Sequence, residues 1–202
     1  MMLQKHVSKI LLLVGVLIFL LPNMAAARKT GLTSSEPVSG LQMTISRAEV
    51  EKGVSKAPKF RVELRNAGKN DLILNLGIML ANGRKQYPNA IVLVLTDQDG
   101  KLRRLELRDP AVIAGRMDPL IVPLPVGSSY YLPVDLDKYW AAASREFDYK
   151  LDSGNYSLAA EFTGRAVSRQ SANLDVKGIA LMPYWEGTVT SNQLSFETPV
   201  TH

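Results

Sequence analysis

No cysteine occurs in these 202 residues, and the two histidines stand near the chain ends, at His6 and His202. Without a thiol or an imidazole in the folded region, neither a Ser-His-Asp nor a Cys-His centre can be assembled. Ordinary zinc, copper or haem ligation lacks its donors for the same reason. Most hydrolase and redox mechanisms fall away, and no metal or cofactor is expected. A cysteine-free chain also has no disulfide framework, so an apolar core must hold the fold. Blocks of one charge are missing too. The longest basic cluster, Arg103-Arg104, is followed closely by Glu106 and Asp109. Nucleic-acid binders concentrate Lys and Arg into a patch, so nucleic acid is not an expected partner. The sequence contains no internal repeat and no low-complexity segment.

Carboxylates are present, but in patterns that suit a surface better than a catalytic centre. Glu49 with Glu51, Asp135 with Asp137, and Glu146 with Asp148 are i, i+2 pairs. On a strand such a pair points to one outward face, whereas a glycosidase needs two acids about 5–10 Å apart in a cleft. Asp97-Gln98-Asp99-Gly100 opens like an oxygen-ligand loop, yet Lys101 takes the third ligand position and Arg108 the place of the bidentate acid. Asp-Gly between apolar runs is a hairpin turn signal. The chain is therefore read as non-catalytic.

Long apolar runs are also scarce, and the one that exists has the layout of an export signal. Lys5, His6 and Lys9 precede the apolar stretch Ile10–Leu21, and then come Pro22 and the small residues Ala25-Ala26-Ala27. A membrane span needs about 20 apolar residues, and Pro22 and Asn23 interrupt this run too early. Residues 1–27 are expected to be a signal peptide cleaved near Ala27, leaving a secreted or periplasmic protein that meets the membrane only in transit. Cleavage removes Lys5 and Lys9 and no acid, which lowers the formal charge from +5 to about +3. Export without cysteine fits a bacterium. Residues 28–40, with Gly31, Ser34, Ser35, Pro37, Ser39 and Gly40, read as a flexible leader. Residues 41–198 read as one domain and 199–202 as a tail.

Within the domain the hydrophobic period is two. Leu41, Met43 and Ile45 alternate with polar residues, as do Phe60, Val62 and Leu64 with Arg61, Glu63 and Arg65. Leu72, Leu74, Leu76 and Ile78 continue the pattern after a short turn, which predicts a hairpin with the strand before it. The all-apolar run Ile91–Leu95 predicts a central strand covered on both faces, turning at Asp99-Gly100 into Leu102–Leu107. Pro119, Pro123 and Pro125 make Leu120–Val126 an edge or connecting strand. Tyr130, Leu132, Val134 and Leu136 alternate again, and Asp137 is placed to cap a short crossover helix over Asp137–Phe147. Tyr156, Leu158, Ala160 and Phe162 form a late strand. Trp185, Gly187 and Val189 are out of phase with Leu194 and Phe196, so a tight turn or a β-bulge is expected at Ser191-Asn192. About eight or nine short strands with one helix predict an all-β sandwich.

Ahead of the late strand stands Asp152-Ser153-Gly154-Asn155-Tyr156-Ser157-Leu158, which resembles the D-x-G-x-Y-x-C corner of immunoglobulin-like domains. The resemblance implies that Asp152 caps the turn, that Gly154 takes a backbone conformation a Cβ would resist, and that the Tyr156 hydroxyl bonds back to main chain. Leu158 stands where the second cysteine would be, and no Trp occurs on Leu72–Ile78. The chain is thus similar to a divergent bacterial-type immunoglobulin-like or fibronectin-type-III-like sandwich held by aliphatic packing.

In such sandwiches the loop before the last strand is a frequent recognition loop. Here it runs from Gly164 to Pro183, and loops beyond about 12–15 residues are usually functional or disordered. Arg165, Arg169, Lys177, Tyr184 and Trp185 are the candidate ligand-binding residues, although Trp185 reads more readily as core at the start of the last strand pair. The expected function is a binding or adhesion module with a protein or glycan partner. The alternatives are a carbohydrate-binding module using Tyr130, Tyr131, Tyr139, Trp140, Tyr184 and Trp185, or a protease inhibitor presenting Asp118–Pro125 as a loop.

Overall fold

The computed structural model describes residues 35–48, 58–108, 115–144, 151–167 and 182–198. Within them lie β1 (Leu41–Arg47), β2 (Lys59–Asn66), β3 (Leu72–Leu80), β4 (Gln86–Tyr87), β5 (Ile91–Thr96) and β6 (Leu102–Leu107). These are followed by β7 (Met117–Leu124), β8 (Ser129–Asp135), β9 (Tyr139–Trp140), β10 (Gly154–Gly164), β11 (Gly187–Thr190) and β12 (Leu194–Thr198). All nine ladders between them are antiparallel. One sheet has the order β1-β2-β8 and a second β11-β10-β5-β6-β9, with β12 also on β10. The third has the order β4-β3-β7. Residues 1–34, where a signal peptide and the start of a leader are expected, and 199–202, the expected tail, lie outside the described residues.

The apolar phase of each strand meets in one core. Leu41, Met43, Ile45, Phe60, Val62 and Leu64 face Leu93, Leu95, Leu158, Ala160 and Phe162, and Leu74, Leu76, Leu120 and Leu124 of the third sheet join them. The Phe60 ring meets Phe196 edge-on at 5.1 Å, tying the first sheet to the second. Each fully buried Leu or Phe contributes about 1.5–3 kcal/mol. Cysteine-free aliphatic and aromatic packing therefore carries the fold.

Alternation identifies faces but not partners, and here the structure corrects the sequence. β2 and β3 do not form a hairpin: β2 lies between β1 and β8, while β3 pairs with β4 and β7. The chain crosses between sheets at Asn66, whose buried amide donates to the carbonyls of Asn70 and Leu124, both at 2.9 Å, and accepts from the Gly68 N–H at 3.0 Å. That side chain diverts the chain away from a tight turn. β5 is central, but only Ile91, Leu93 and Leu95 are fully buried, so one of its faces is half open.

The crossover helix is not seen either. Asp135, not Asp137, caps a single 3-10 turn at Leu136–Lys138, accepting from the Asp137 N–H. Tyr139 and Trp140 then pair with Leu107 and Glu106, and a second 3-10 turn covers Ala142–Ser144. Aromatic residues favour a pleated surface, and burying Tyr139 outweighs helix propensity in so short a segment. Residues 145–147 of the expected helix lie outside the described residues. The Asp118–Pro125 segment is an edge strand rather than a presented loop, since β7 pairs with β3 along its length. Asp99-Gly100 does turn β5 into β6, with the Gly100 N–H donating to Asp97 O.

The phase change near Ser191 is a β-bulge. Glu161 pairs with Thr190 but Leu158 with Leu194, so four steps on one strand match three on β10. Ser191 absorbs the extra residue: its N–H donates to Ala160 O, and its hydroxyl accepts from the Ala160 N–H at 2.9 Å. The bulge also aims Asn192 at the free edge of β1. Its amide accepts from the Ile45 N–H at 2.8 Å and donates to Ile45 O at 3.1 Å. Ser35 does the same for Met43, and the Val38 main chain for Leu41. The edge-directed main-chain groups of Leu41, Met43 and Ile45 are thereby closed.

At the corner before β10, the Tyr156 hydroxyl donates to Asp152 O at 3.2 Å and its ring stacks on Phe196 at 5.5 Å. Asp152 takes part through its carbonyl, which also accepts from the Thr198 hydroxyl. Gly154 has φ +154°, and a Cβ there would lie 3.1 Å from the Gln98 side-chain oxygen.

Candidate functional site

The residues singled out on the long loop separate in the structure. Trp185 is 2% exposed and stacked on Phe162 at 5.5 Å, so it is core and not a ligand anchor. Tyr184 bridges to Ile73, and its hydroxyl is buried with no partner among the described residues, which pushes its pKa up. Arg165 lines a cleft of about 560 Å³, together with Asn75, Asn89, Arg104, Glu161 and Thr163, that neither Tyr184 nor Trp185 enters. Arg169 and Lys177 lie outside the described residues. The loop therefore does not present an aromatic pair.

Two carboxylates with shifted titration sit near this cleft and at the β5–β6 turn. Two hydrogen bonds from Arg104, at 2.6 and 3.2 Å, hold Glu161 below its ordinary 4.5. The Lys101 main-chain N–H, with help from Arg103, holds Asp97 below 3.8. Asp97 is thus committed to its turn. Because both folded-state values are depressed, their stabilisation is complete above about pH 5 and is lost as pH falls through those values. Urea midpoints should therefore drop between pH 7 and pH 3, and drop less in the Asp97→Asn, Glu161→Gln double variant. Equal drops in both proteins would refute the assignment. Among the described residues no three acids or histidines converge on a metal position.

A more organised surface lies on the outer face of the first sheet. Since Leu41, Phe60 and Leu132 and their alternates point inward, the residues between them point out. The register lines these up in three rows: Gln42, Arg65 and Ser129; Thr44, Glu63 and Tyr131; Ser46, Arg61 and Pro133. Glu63 is the centre of this grid. It accepts from Ser129 Oγ at 2.6 Å, from Tyr131 OH at 3.2 Å and from Thr44 Oγ1 at 3.5 Å. The Arg61 guanidinium lies 5.0 Å from the Tyr131 ring centroid. Tyr131 is nevertheless 51% exposed.

The other aromatics considered as stacking platforms are less available. Tyr139 is buried, which pushes its hydroxyl up to about 12, and Tyr130 packs against the core. Trp140 is half-buried at the sheet edge. Sequence reasoning had both outward phases, Arg61-Glu63-Arg65 and Tyr131, but not their pairing across 68 positions. A period-two pattern carries no signal for that register.

Comparison with models of protein families and with curated proteins finds no match to this chain.

Proposed function

We propose that this chain is an exported, non-catalytic binding module built on an immunoglobulin-like β-sandwich, and that it binds through the outer face of β1-β2-β8. The strand order supports the architecture. β1-β2-β8 opposite β11-β10-β5-β6 follows the order A-B-E opposite G-F-C-C′ of immunoglobulin-type domains, with β3 and β7 as an additional layer. The Tyr156 hydroxyl bonding back to Asp152 O at the start of β10 supports the same reading, since strand F of that scheme carries such a corner. Export is supported by the three-part pattern of residues 1–27.

One observation carries the binding role: Tyr131 is half exposed yet held at both ends, by Arg61 against its ring and Glu63 on its hydroxyl. An aromatic already fixed loses little entropy on binding. The test is a panel of purified glycans and surface proteins, each hit measured again with Tyr131→Ala. Binding should fall about tenfold or more with little change in melting temperature, because the side chain lies outside the core. Hits indifferent to Tyr131 would remove the face assignment. N-terminal sequencing of the exported protein should begin at Arg28, and an uncleaved intracellular product would remove export.

A further inference from the structure

We propose that the ligand of the β1-β2-β8 face is a carboxylate-bearing polysaccharide, an inference that rests on the binding-face reading above. The argument begins with charge. Lys59, Arg61 and Arg65 project from the same side of β2, and among the described residues none of them is ion-paired. The acid between them, Glu63, already has both oxygens occupied by three neutral hydroxyls. Hydroxyl bonds leave its charge in place but direct its oxygens inward, toward the sheet's own side chains. At the edge of the face Asp135, opposite Lys59, is turned to cap the Leu136–Lys138 turn, so the unpaired charges along its centre are those of Arg61 and Arg65.

Geometry narrows the class. Arg61 and Arg65 stand two positions either side of Glu63, so strand rise separates their Cα atoms by about 13–14 Å along one line. A guanidinium offers a planar fork matched to a carboxylate. Two such forks in a row suit a linear polymer with repeated carboxylates better than one small anion. Tyr131 adds a half-exposed ring beside that line, the surface that takes the C–H face of a pyranose while its carboxylate reaches an arginine. A protein partner would need an apolar centre with several anchors, and this grid has only Tyr131 and Pro133. An anionic membrane is met by clusters of about 4–8 basic residues without a need for a fixed aromatic.

The experiment titrates the full chain with four probes: polygalacturonate, its methyl ester, a neutral β-glucan, and phosphatidylglycerol vesicles. Polygalacturonate should bind, and esterification should weaken binding about tenfold or more, since it removes the charge and one acceptor of each fork. Tyr131→Ala and the Arg61→Ala, Arg65→Ala pair should each weaken it by a similar factor. Arg104→Ala, on the other sheet, should not, which separates this face from general attraction between a basic protein and a polyanion. If the ester or the glucan binds equally well and Tyr131 still matters, the carboxylate is wrong and the face stands. Preference for the vesicles overturns the polysaccharide in favour of a lipid surface. Failure of all four probes overturns it too, and the Tyr131 panel then decides whether the face survives. Polygalacturonate binding indifferent to Tyr131 and to both arginines overturns inference and face together.

Discussion

Trp185→Ala is expected to destabilise the fold by about 3–5 kcal/mol, the range for truncating a large buried aromatic. The indole stacks on Phe162, and its Nε1 donates to Val38 O at 3.2 Å. Two glycines make its place. A Cβ on Gly164 would lie 2.4 Å from the Trp185 carbonyl oxygen and 2.5 Å from the indole, while Gly187 runs along the ring's far edge. The surroundings cannot collapse into the hole, because the Trp185 N–H donates to Ile73 O and the Ile73 N–H to Pro183 O. Urea denaturation followed by far-UV circular dichroism measures the loss. Trp185→Phe should recover part of it by keeping the stack. A loss under about 1 kcal/mol for the Ala variant would return Trp185 to the surface and reopen the loop as a recognition element.

Asn66→Ala should cost roughly 3 kcal/mol, although it removes few atoms. Its amide is 0% exposed and satisfies three main-chain groups, the carbonyls of Asn70 and Leu124 and the N–H of Gly68. Each buried polar group left without a partner costs about 1–3 kcal/mol, and water entering the gap recovers some of that. The loss is therefore far larger than the missing apolar area would give. Asn66→Asp tests the same joint without changing shape, since a carboxylate cannot donate to two carbonyls and should be at least as damaging. Hydrogen exchange at Gly68 should accelerate in Asn66→Ala, which leaves its N–H without an acceptor, and less in Asn66→Asp, whose carboxylate still accepts it. Wild-type exchange at Gly68 with an unchanged urea midpoint would show that the turn holds without its amide.

Those two residues mark where the sequence could and could not be read. The strands β1, β2 and β10 were legible because apolar alternation is a local property of a half-buried strand, whereas β5 was legible only as an unbroken apolar run, which hid its half-open face. The hydrogen bond from Tyr156 to Asp152 was legible because it spans only four residues. The hairpin expected between β2 and β3 fails at Asn66, since nothing near that residue states that its amide reaches Leu124, 58 positions away. Tyr139 and Trp140 suited a helix by local pattern, and only their pairing with β6 decides otherwise. For the candidate site, the outward residues were visible one strand at a time. The grid around Glu63 exists only once β8 has been laid beside β2, and a shift of one residue would have buried Tyr131 instead.

The Asn192 amide on Ile45 joins positions 147 apart, almost the first and last strands of the domain. Its consequence concerns time. While the chain is being made, Ser35 and Val38 can already close the edge of β1 at Met43 and Leu41, but its Ile45 end stays open, because Asn192 arrives near the end. Such an unfinished chain carries an open template for any passing strand. Loss of everything after residue 190 would therefore yield a sticky protein rather than merely a shorter one.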